Sequence, residues 1–296
     1  MTGVQTCALP ICRDPRRLQA LLKTAGVSTL TVPSPGSAAI TFGVEPLTVT
    51  ITGNVDRVTT ENVVGLLEGS DPALKSEYVV IGAHLDHFGI QDGRTYPGAD
   101  DDGSGSTAVI EVARAMTKNP KRPRRSIVFV TFFGEEQELL GSRYFLAHPP
   151  VPLDKVVTML QMDNVGRASD GPQQQEKPTI ERASENMDTV RLVGSRRAST
   201  ELDDVVRKMN AFVGLHLLND AEYVFPRGDQ VNFGRKGVPV CWWFSGYNLD
   251  YHEPTDTVDK IDWLKLTSIA KHVYLSAHAL ADTDSRPTHN VGKPGS

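Results

Sequence analysis

The sequence has 296 residues, of which 39% are hydrophobic and 23% charged, as is usual for a globular protein with a sizeable core. Its 36 acidic and 31 basic residues give a formal net charge of −5, which argues against a nucleic-acid-binding protein. No apolar run approaches the roughly 20 residues that cross a bilayer, so no membrane span is expected.

The first part of the chain, residues 1–53, is not expected to belong to the main domain. Residues 1–12 begin with MTGVQTCALPI, which resembles a translated sequencing adapter, and we expect them to be an artefact rather than protein. Residues 13–53 show helical spacing at 16–25 and a strand-like alternation at 47–53. They fit an N-terminal remnant or a linker.

From residue 54 onward, buried strand patterns alternate with helical patterns. This alternation is typical of an α/β protein with a three-layer αβα architecture and a mixed, mostly parallel central sheet. We expect the main domain to cover 54–282, with a loop at 168–186 and a disordered tail at 283–296. The predicted strands are 62–67, 78–83, 126–133, 156–162, 191–193, 215–218 and 238–244, and the predicted helices are 103–116, 137–147, 199–212 and 262–281.

Candidate metal ligands follow the ends of three predicted strands. His84 and Asp86 come directly after the second strand, Glu135 and Glu136 follow the third, and Asp163 follows the fourth. In open α/β sheets, ligands bind in the crevice beyond the carboxyl ends of the strands, so these side chains are expected to converge. Histidine together with carboxylates is a ligand set that suits Zn²⁺.

Runs of adjacent carboxylates give the same indication. Three consecutive aspartates at 100–102 precede a predicted helix, and Glu135 is followed directly by Glu136. Adjacent carboxylates repel one another unless a cation neutralises them, and a metal pair bridged by one of them does so. In the glutamate pair, one residue can be a ligand while its neighbour remains a general base.

Each of these features also has an ordinary structural explanation when it is taken alone. A buried histidine is commonly structural, a DDDG turn commonly caps a helix, and paired glutamates commonly begin one. Their joint occurrence at successive strand ends favours a metal site over these separate explanations.

Five motifs occur in order between residues 54 and 281, and they resemble one known family. They are HLDH, PGADDDGSG, FFGEEQELLGS, MDNVGR and YHEPTDTVDKID. They resemble the co-catalytic di-zinc aminopeptidases typified by the secreted bacterial leucine aminopeptidases, with glutamate carboxypeptidase, the transferrin receptor and glutaminyl cyclase as distant relatives. The resemblance implies a phosphorylase/hydrolase-like zinc exopeptidase fold. It also implies that 13–53 is the tail of a protease-associated domain, and that the protein is exported and its signal peptide is missing.

The resemblance implies two Zn²⁺ ions per chain. His84 and Asp163 would hold one ion, Glu136 and His252 would hold the other, and Asp100 would bridge them. The resemblance thus implies a ligand in each of the strand-end motifs and adds a histidine from the last motif, YHEPTDTVDKID.

The resemblance also implies the catalytic residues. Glu135 would take a proton from the attacking water and deliver it to the leaving amine, and Asp86 would orient His84. In this family the bridging aspartate is followed by a cis peptide, which predicts one between Asp100 and Asp101.

The oxyanion donor departs from the family pattern. Phe225 stands where the family has a tyrosine, and a Ser-Asp-His motif of some members reads GDQ at 228–230. Tyr251 is the first substitute candidate and Tyr223 the second, while Asp229 is a candidate substrate residue.

The sequence therefore predicts a two-zinc aminopeptidase whose partner is a peptide with a free N-terminus. A glutaminyl-cyclase-like acyltransferase with one zinc remains open, as does a receptor-like protein, although such a protein is expected to have lost ligands. A glutamate-carboxypeptidase-like hydrolase is a further alternative. It would need a basic pocket, and Arg227, Arg235 and Arg167 are the nearby cations.

Overall fold

The computed structural model describes residues 59–170, 172–173 and 179–290. The chain divides into two units, Met1–Thr59 and Thr60–Ser296, and every element below belongs to the second. The helix predicted at 16–25, the strand predicted at 47–53 and the assignments of 1–12 and 13–53 lie outside the described residues.

A seven-stranded sheet forms the centre of the domain. The strands in chain order are β1 (Val63–Leu67), β2 (Tyr78–His84), β3 (Gly89–Gln91), β4 (Arg94–Tyr96), β5 (Ser126–Phe132), β6 (Val156–Met162), β7 (Pro172–Gln173), β8 (Thr179–Ile180), β9 (Thr189–Val193), β10 (His216–Leu218) and β11 (Val240–Phe244). The order in the large sheet is β1-β5-β2-β6-β11-β9-β10, while β3–β4 and β7–β8 form separate pairs.

The sheet is mixed and mostly parallel, as predicted. Strands β5, β2, β6 and β11 run parallel to one another, and β10 is parallel to β9. The pairs β1–β5 and β9–β11 are antiparallel. The four central strands are almost completely buried, which explains why they are apolar on both faces.

Helices cover both faces of the sheet, and the predicted three-layer architecture is confirmed. One face carries α1, α4 and α6, and the other carries α2 and α5 around Phe145 and Phe233. Among the described residues, no helix is both long and apolar enough to cross a membrane. The helices are α1 (Gly105–Lys118), α2 (Leu140–Ala147), α3 (Ser195–Ala198), α4 (Thr200–Met209), α5 (Gln230–Gly234) and α6 (Trp263–Asp282); short 3₁₀ turns lie at Leu153–Lys155, Ala183–Glu185, Asn210–Phe212, Glu222–Val224 and Val258–Lys260, and a π-type turn lies at Ala99–Ser104.

Helix α2 begins later than predicted. Glu138 and Leu139 have left-handed backbone angles, with φ of 62° and 61°, and the helix starts at Leu140. The residues between β5 and α2 therefore form a turn instead of a first helical turn. That turn carries the Glu135–Glu136 pair to the edge of the sheet.

Part of the predicted disordered tail lies on the domain. Arg286 pairs with Glu77 at 2.8 Å, and the backbone N–H of Asn290 donates to the Ala198 carbonyl at 2.8 Å. The prediction is therefore corrected for 283–290, because polar side chains that looked solvated in the sequence find partners on the domain. Residues 291–296 lie outside the described residues.

Candidate metal centre

The predicted ligands come together at one edge of the sheet. His84 is the last residue of β2, Glu136 follows β5, and Asp163 follows β6. His252 reaches the same place from the loop between β11 and α6. The carboxyl ends of parallel strands thus position side chains that are far apart in the sequence.

His84, Asp101 and Asp163 form the first cluster. The His84 Nε2 atom lies 3.0 Å from Asp101 Oδ1 and 3.7 Å from Asp163 Oδ1. All three side chains are buried, and one ligand atom from each lies within 4.8 Å of the others.

A second cluster lies on the other side of Asp101. The His252 Nε2 atom lies 3.1 Å from Asp101 Oδ2 and 3.5 Å from Glu136 Oε2. His87 approaches the same glutamate, with its Nδ1 atom 2.8 Å from Glu136 Oε1. Asp101 therefore offers one oxygen to each cluster. His252 is the better ligand candidate of the two histidines, because a single nitrogen faces both carboxylates.

The structure corrects the prediction for Asp100. Its Oδ1 atom accepts a hydrogen bond from the backbone N–H of Gly166 at 2.6 Å, and its Oδ2 atom accepts one from the Asn248 side chain at 2.9 Å. The carboxylate between the two histidines belongs to Asp101, and the cis peptide joins Asp101 to Asp102 rather than Asp100 to Asp101. The sequence could not show which of three consecutive aspartates faces the crevice.

Asp256, which the sequence reasoning did not single out, holds this turn in place. Its carboxylate accepts hydrogen bonds from the backbone N–H of Asp100 at 3.0 Å and of Asp101 at 3.1 Å. The turn enters through Gly98 in a left-handed conformation, with φ of 63°, and a Cβ atom there would collide with the carbonyl of Asp101 and with His87. Asp256 lies inside the YHEPTDTVDKID motif, which was the available signal.

The third aspartate of the run, Asp102, joins the turn to two neighbouring elements. Its Oδ1 atom accepts from the backbone N–H of Gly105 at 2.9 Å, at the start of α1, and its Oδ2 atom accepts from the backbone N–H of His84 at 3.1 Å. Each aspartate of the run thus has a different partner set.

Asp86 contacts His84, the residue it was predicted to orient, and it also contacts the glutamate turn. The His84 Nδ1 atom lies 2.9 Å from the backbone carbonyl of Asp86, within hydrogen-bond distance, and 3.8 Å from its Oδ1 atom. The carboxylate instead accepts hydrogen bonds from the backbone N–H groups of Glu135 at 3.0 Å and Glu136 at 3.3 Å. Asp86 therefore orients the imidazole through its backbone and fixes the glutamate turn through its side chain.

Negative charge is crowded in this part of the protein. Burial raises the pKa of Asp100 to about 7, and it raises the pKa of Asp102 well above the ordinary range, with the Asp163 charge adding to the effect. Burial, together with nearby negative charge, also raises the pKa of Glu135 well above the ordinary range. Such crowding is relieved by a bound cation.

The pKa of Asp101 is shifted in the opposite direction from the pKa values of Asp100 and Asp102. Burial acts to raise its pKa, but hydrogen bonds and charges from His252 and His84 outweigh burial and hold the pKa below the ordinary value. The Asp101 carboxylate is therefore ionised, in the state that a metal ligand needs.

The donor set fits zinc. Tetrahedral zinc with bonds of 2.0–2.1 Å separates two ligand atoms by about 3.3 Å, and the nitrogen–oxygen separations within the clusters run from 3.0 to 3.7 Å. Among the described residues, the buried Glu136 Oε1 atom has no well-aligned hydrogen-bond donor, although His87 Nδ1 is 2.8 Å away. A buried carboxylate oxygen without a donor is satisfied by a cation.

A pocket opens beside the clusters, with aromatic rings along one wall. The Tyr251 ring stacks on the His252 ring at 3.7 Å between centroids, and the Tyr247 ring lies 4.3 Å from that of Tyr251. Burial raises the pKa of Tyr247 to about 12 and also raises that of Tyr251, so both phenols are protonated donors at neutral pH. The pocket is lined by Asp101, Glu135, Asp163, Asn164, Arg227, Trp242, Tyr247 and Tyr251.

One of the three predicted substrate residues lies in this pocket, and the other two lie outside its described lining. Among the described residues that line it, Tyr251 is present, but Tyr223 and Asp229 are not. Asp229 is completely buried at the start of α5. The Phe225 ring lies under the Arg197 guanidinium at 4.6 Å, in a packing contact outside the pocket lining.

Residues 62–277 match the sequence profile of peptidase family M28, and the chain belongs to this family. A probable leucine aminopeptidase from Arthroderma otae is 28% identical to this chain over 219 residues, covering 71% of the chain and 56% of the relative. The family resemblance predicted from the five motifs is confirmed.

Two solved structures share the fold at low sequence identity. The LapA aminopeptidase of Legionella pneumophila has a TM-score of 0.59 and 20% identity, covering 76% of this chain and 56% of that chain. BSAP, a zinc aminopeptidase from Bacillus subtilis, has a TM-score of 0.59 and 21% identity, covering 74% and 49%. The chain thus spans about half the length of the proteins it matches.

Proposed function

We propose that this chain is a zinc-dependent aminopeptidase that binds two Zn²⁺ ions and removes N-terminal residues from peptides. The observation that carries the proposal is Asp101, whose two carboxylate oxygens face His84 and His252 at 3.0 and 3.1 Å. Membership of peptidase family M28 and the similarity to leucine aminopeptidases support the same activity.

Each ion would have its own ligands in addition to the shared Asp101. His84 and Asp163 would complete one site, and Glu136 and His252 the other. Zinc bound there would lower the pKa of a water molecule and polarise the scissile carbonyl.

Glu135 is the proposed general base. It lines the pocket beside Asp101 and Asp163, and Asp86 fixes its backbone. Its carboxylate would accept a proton from the attacking water and then donate that proton to the leaving amine. Its neighbour Glu136 faces His252 instead, which supports separate roles for the two glutamates in this proposal.

The pocket suits the N-terminus of a peptide. In this proposal the Glu135 carboxylate would attract the ammonium group, and the Trp242 and Tyr247 rings, which also line the pocket, would contact the first side chain. We propose that the Tyr251 phenol donates a hydrogen bond to the oxyanion, because it is protonated at neutral pH and lies in the pocket.

Replacement of the general base tests the proposal. Glu135→Gln should lower kcat for leucine p-nitroanilide by at least a factor of about 100, because general-base catalysis contributes 10²–10⁴-fold. Zinc content should stay at two ions per chain, since this side chain is not a ligand in the proposal. Glu138→Gln is the matched control, because Glu138 lies in the same turn but is exposed. If Glu135→Gln and Glu138→Gln were equally active, the assignment would be wrong.

Three substrates separate the remaining alternatives. A glutaminyl-cyclase-like enzyme would bind one zinc ion and cyclise an N-terminal glutamine, and a carboxypeptidase would cleave N-acetylated peptides. The proposed aminopeptidase would do neither and would cleave only peptides with an unblocked N-terminus. A receptor-like protein would be expected to have lost metal ligands, but this chain has a suitable side chain at each of the five proposed ligand positions. Export of the protein remains a prediction.

A further inference from the structure

Asn164 is a pocket residue to which no role has yet been given. It follows the proposed ligand Asp163 directly, lines the pocket and is only 3% exposed. Its Nδ2 atom donates a hydrogen bond to Asp163 Oδ1 at 2.8 Å, and its backbone carbonyl accepts one from the Ser245 N–H at 3.0 Å. Both the backbone and the side chain of Asn164 are therefore held in place.

The contact with Asp163 fixes which way the Asn164 amide is turned. An ionised carboxylate only accepts hydrogen bonds, so the NH₂ group of the amide, and not its oxygen, must face Asp163. The Oδ1 atom then lies on the other side of the amide. It is buried, and no described residue donates a hydrogen bond to it. Buried acceptors are nearly always paired, so this oxygen calls for a donor from outside the described part of the chain.

Asn248 shows how an asparagine with a structural role is arranged in the same region. It is also buried, and its Nδ2 atom donates to Asp100 Oδ2 at 2.9 Å. Its Oδ1 atom, however, accepts the backbone N–H of Asp250 at 2.9 Å, and Asn248 does not belong to the described pocket lining. The two asparagines share burial and an aspartate partner, but only the oxygen of Asn164 lacks a donor among the residues described.

The chemistry of the pocket indicates what kind of group this oxygen would meet. An amide oxygen is not one of the usual zinc ligands, which are cysteine, histidine and carboxylates. In the proposed enzyme Asp101 and Asp163 bind zinc, whereas Asn164 does not. Its oxygen is thus a neutral acceptor, fixed in the pocket and directed by an amide that cannot rotate without losing the bond to Asp163. Such an acceptor matches an N–H donor of a bound molecule.

We propose that the Asn164 Oδ1 atom accepts a hydrogen bond from an N–H group of the first residue of the substrate and makes the enzyme selective for that donor. This inference rests on the proposed aminopeptidase function, which places the first residue of the peptide beside the carboxylates. The donor has two sources: the α-ammonium group of the first residue or an amide in its side chain.

Two pairs of unreactive ligands test the inference and separate the sources. Leucine is compared with 4-methylpentanoate, which lacks the ammonium group. Glutamine is compared with 5-oxonorleucine, in which a methyl group replaces the side-chain NH₂. The zinc-loaded full chain hydrolyses leucine p-nitroanilide, and the competitive inhibition constant Ki of each ligand is measured. The wild type should bind the donor-bearing member of at least one pair more tightly.

Replacement of Asn164 assigns the preference to its oxygen. Asn164→Gly removes the amide, and glycine accepts the left-handed backbone at this position, where φ is 54°. The Ki ratio within a pair should fall about 10- to 100-fold if the ammonium is the donor, or about 2- to 10-fold if the side-chain amide is. Asn164→Asp, which keeps an acceptor oxygen, should restore the ratio.

Asn248→Ala is the matched control. It also removes a buried amide that donates to an aspartate, so it should keep both wild-type ratios. Because each ratio compares two ligands of one variant, partial loss of folded protein or of zinc cancels. For a variant without turnover, calorimetry gives the same ratio from dissociation constants.

The inference and the proposed function fail in different ways. Unchanged ratios for both pairs in Asn164→Gly would show that water or another group satisfies the oxygen, and equal losses in Asn248→Ala would show a general loosening. Either result would overturn the inference and leave the aminopeptidase assignment in place. If the wild type did not hydrolyse leucine p-nitroanilide, the proposed function would fail and this inference with it.

Discussion

The two sides of the crevice are built in different ways. The metal side is held by buried carboxylates that accept backbone hydrogen bonds: Asp256 from the turn at Ala99–Ser104, and Asp86 from the glutamate turn. The substrate side consists of stacked aromatic rings and the exposed Arg227. A carboxylate that accepts backbone hydrogen bonds fixes the positions of a few specific atoms. Packing between aromatic rings instead defines the shape of a surface, and that shape can vary. We therefore expect the metal side to tolerate much less change.

The largest effect is expected from Asp256→Asn. An amide has one acceptor oxygen where the carboxylate has two, and its NH₂ group would face backbone N–H donors of Asp100 and Asp101. Zinc affinity should fall about 10- to 100-fold, as for other residues that orient metal ligands. Each unsatisfied buried N–H should also cost about 1–3 kcal/mol of unfolding free energy. Competition with a chelator and denaturant unfolding measure the two effects.

The matched control for this variant is Asp259→Asn. Asp259 lies three residues further along but is exposed, so its replacement should leave zinc affinity and stability at wild-type values. If the two variants had the same zinc affinity and stability, the buried Asp256 carboxylate would not be what holds the metal side in place. The proposed difference between the two sides of the crevice would then be wrong.

An intermediate effect is expected from Asp229→Asn, which replaces a buried carboxyl group outside the described pocket lining. Burial raises the pKa of Asp229 from 3.8 to about 7, with the charges of Asp163 and Asp86 adding to the effect and a Ser142 contact opposing it. Between these values the unfolded chain is ionised while the folded protein still holds the proton. Asp229 therefore makes the folded state less stable as pH rises from 4 to 7, with no further loss above 7.

Unfolding of the zinc-free protein at several pH values tests this expectation. Relative to Asp229→Asn, the wild type should lose about 2 kcal/mol of unfolding free energy between pH 5 and 7. Parallel stability profiles for the two proteins would show that Asp229 does not titrate in this range.

The smallest effect on zinc binding and stability is expected from Tyr251→Phe. The ring can still stack on His252, but the pocket loses one neutral hydrogen-bond donor. Because the loss of one oxyanion donor costs about 10²–10³-fold in kcat, kcat should fall by about that factor while KM and zinc content change little. A fall in zinc content would show instead that the tyrosine supports the metal side through the stacked histidine.

Sequence patterns revealed more of the metal side than of the substrate side. The buried strands and the residues that follow them could be predicted from the sequence, because a strand covered on both faces is continuously apolar and its end marks the crevice. The sequence could not predict which aspartate of the 100–102 run faces the histidines, because the backbone conformation of an irregular turn decides it. The Asp256 contact was missed because it joins residues 156 apart in the chain.

The substrate side depends on contacts between loops that carry no periodic pattern. The Arg227–Tyr247 hydrogen bond, for example, joins residues 20 apart that no sequence pattern pairs. The contacts of 283–290 were missed for the same reason, because polar residues near a chain end look solvated until their partners are known.

The zinc content of two single variants tests the central claim, that Asp101 is shared between two metal ions. The wild type should bind two zinc ions per chain, and Asp101→Asn should retain at most one. Asp100→Asn should retain two, because Asp100 contacts Gly166 and Asn248 rather than the histidines. Loss of an ion from Asp100→Asn together with two ions in Asp101→Asn would contradict the account.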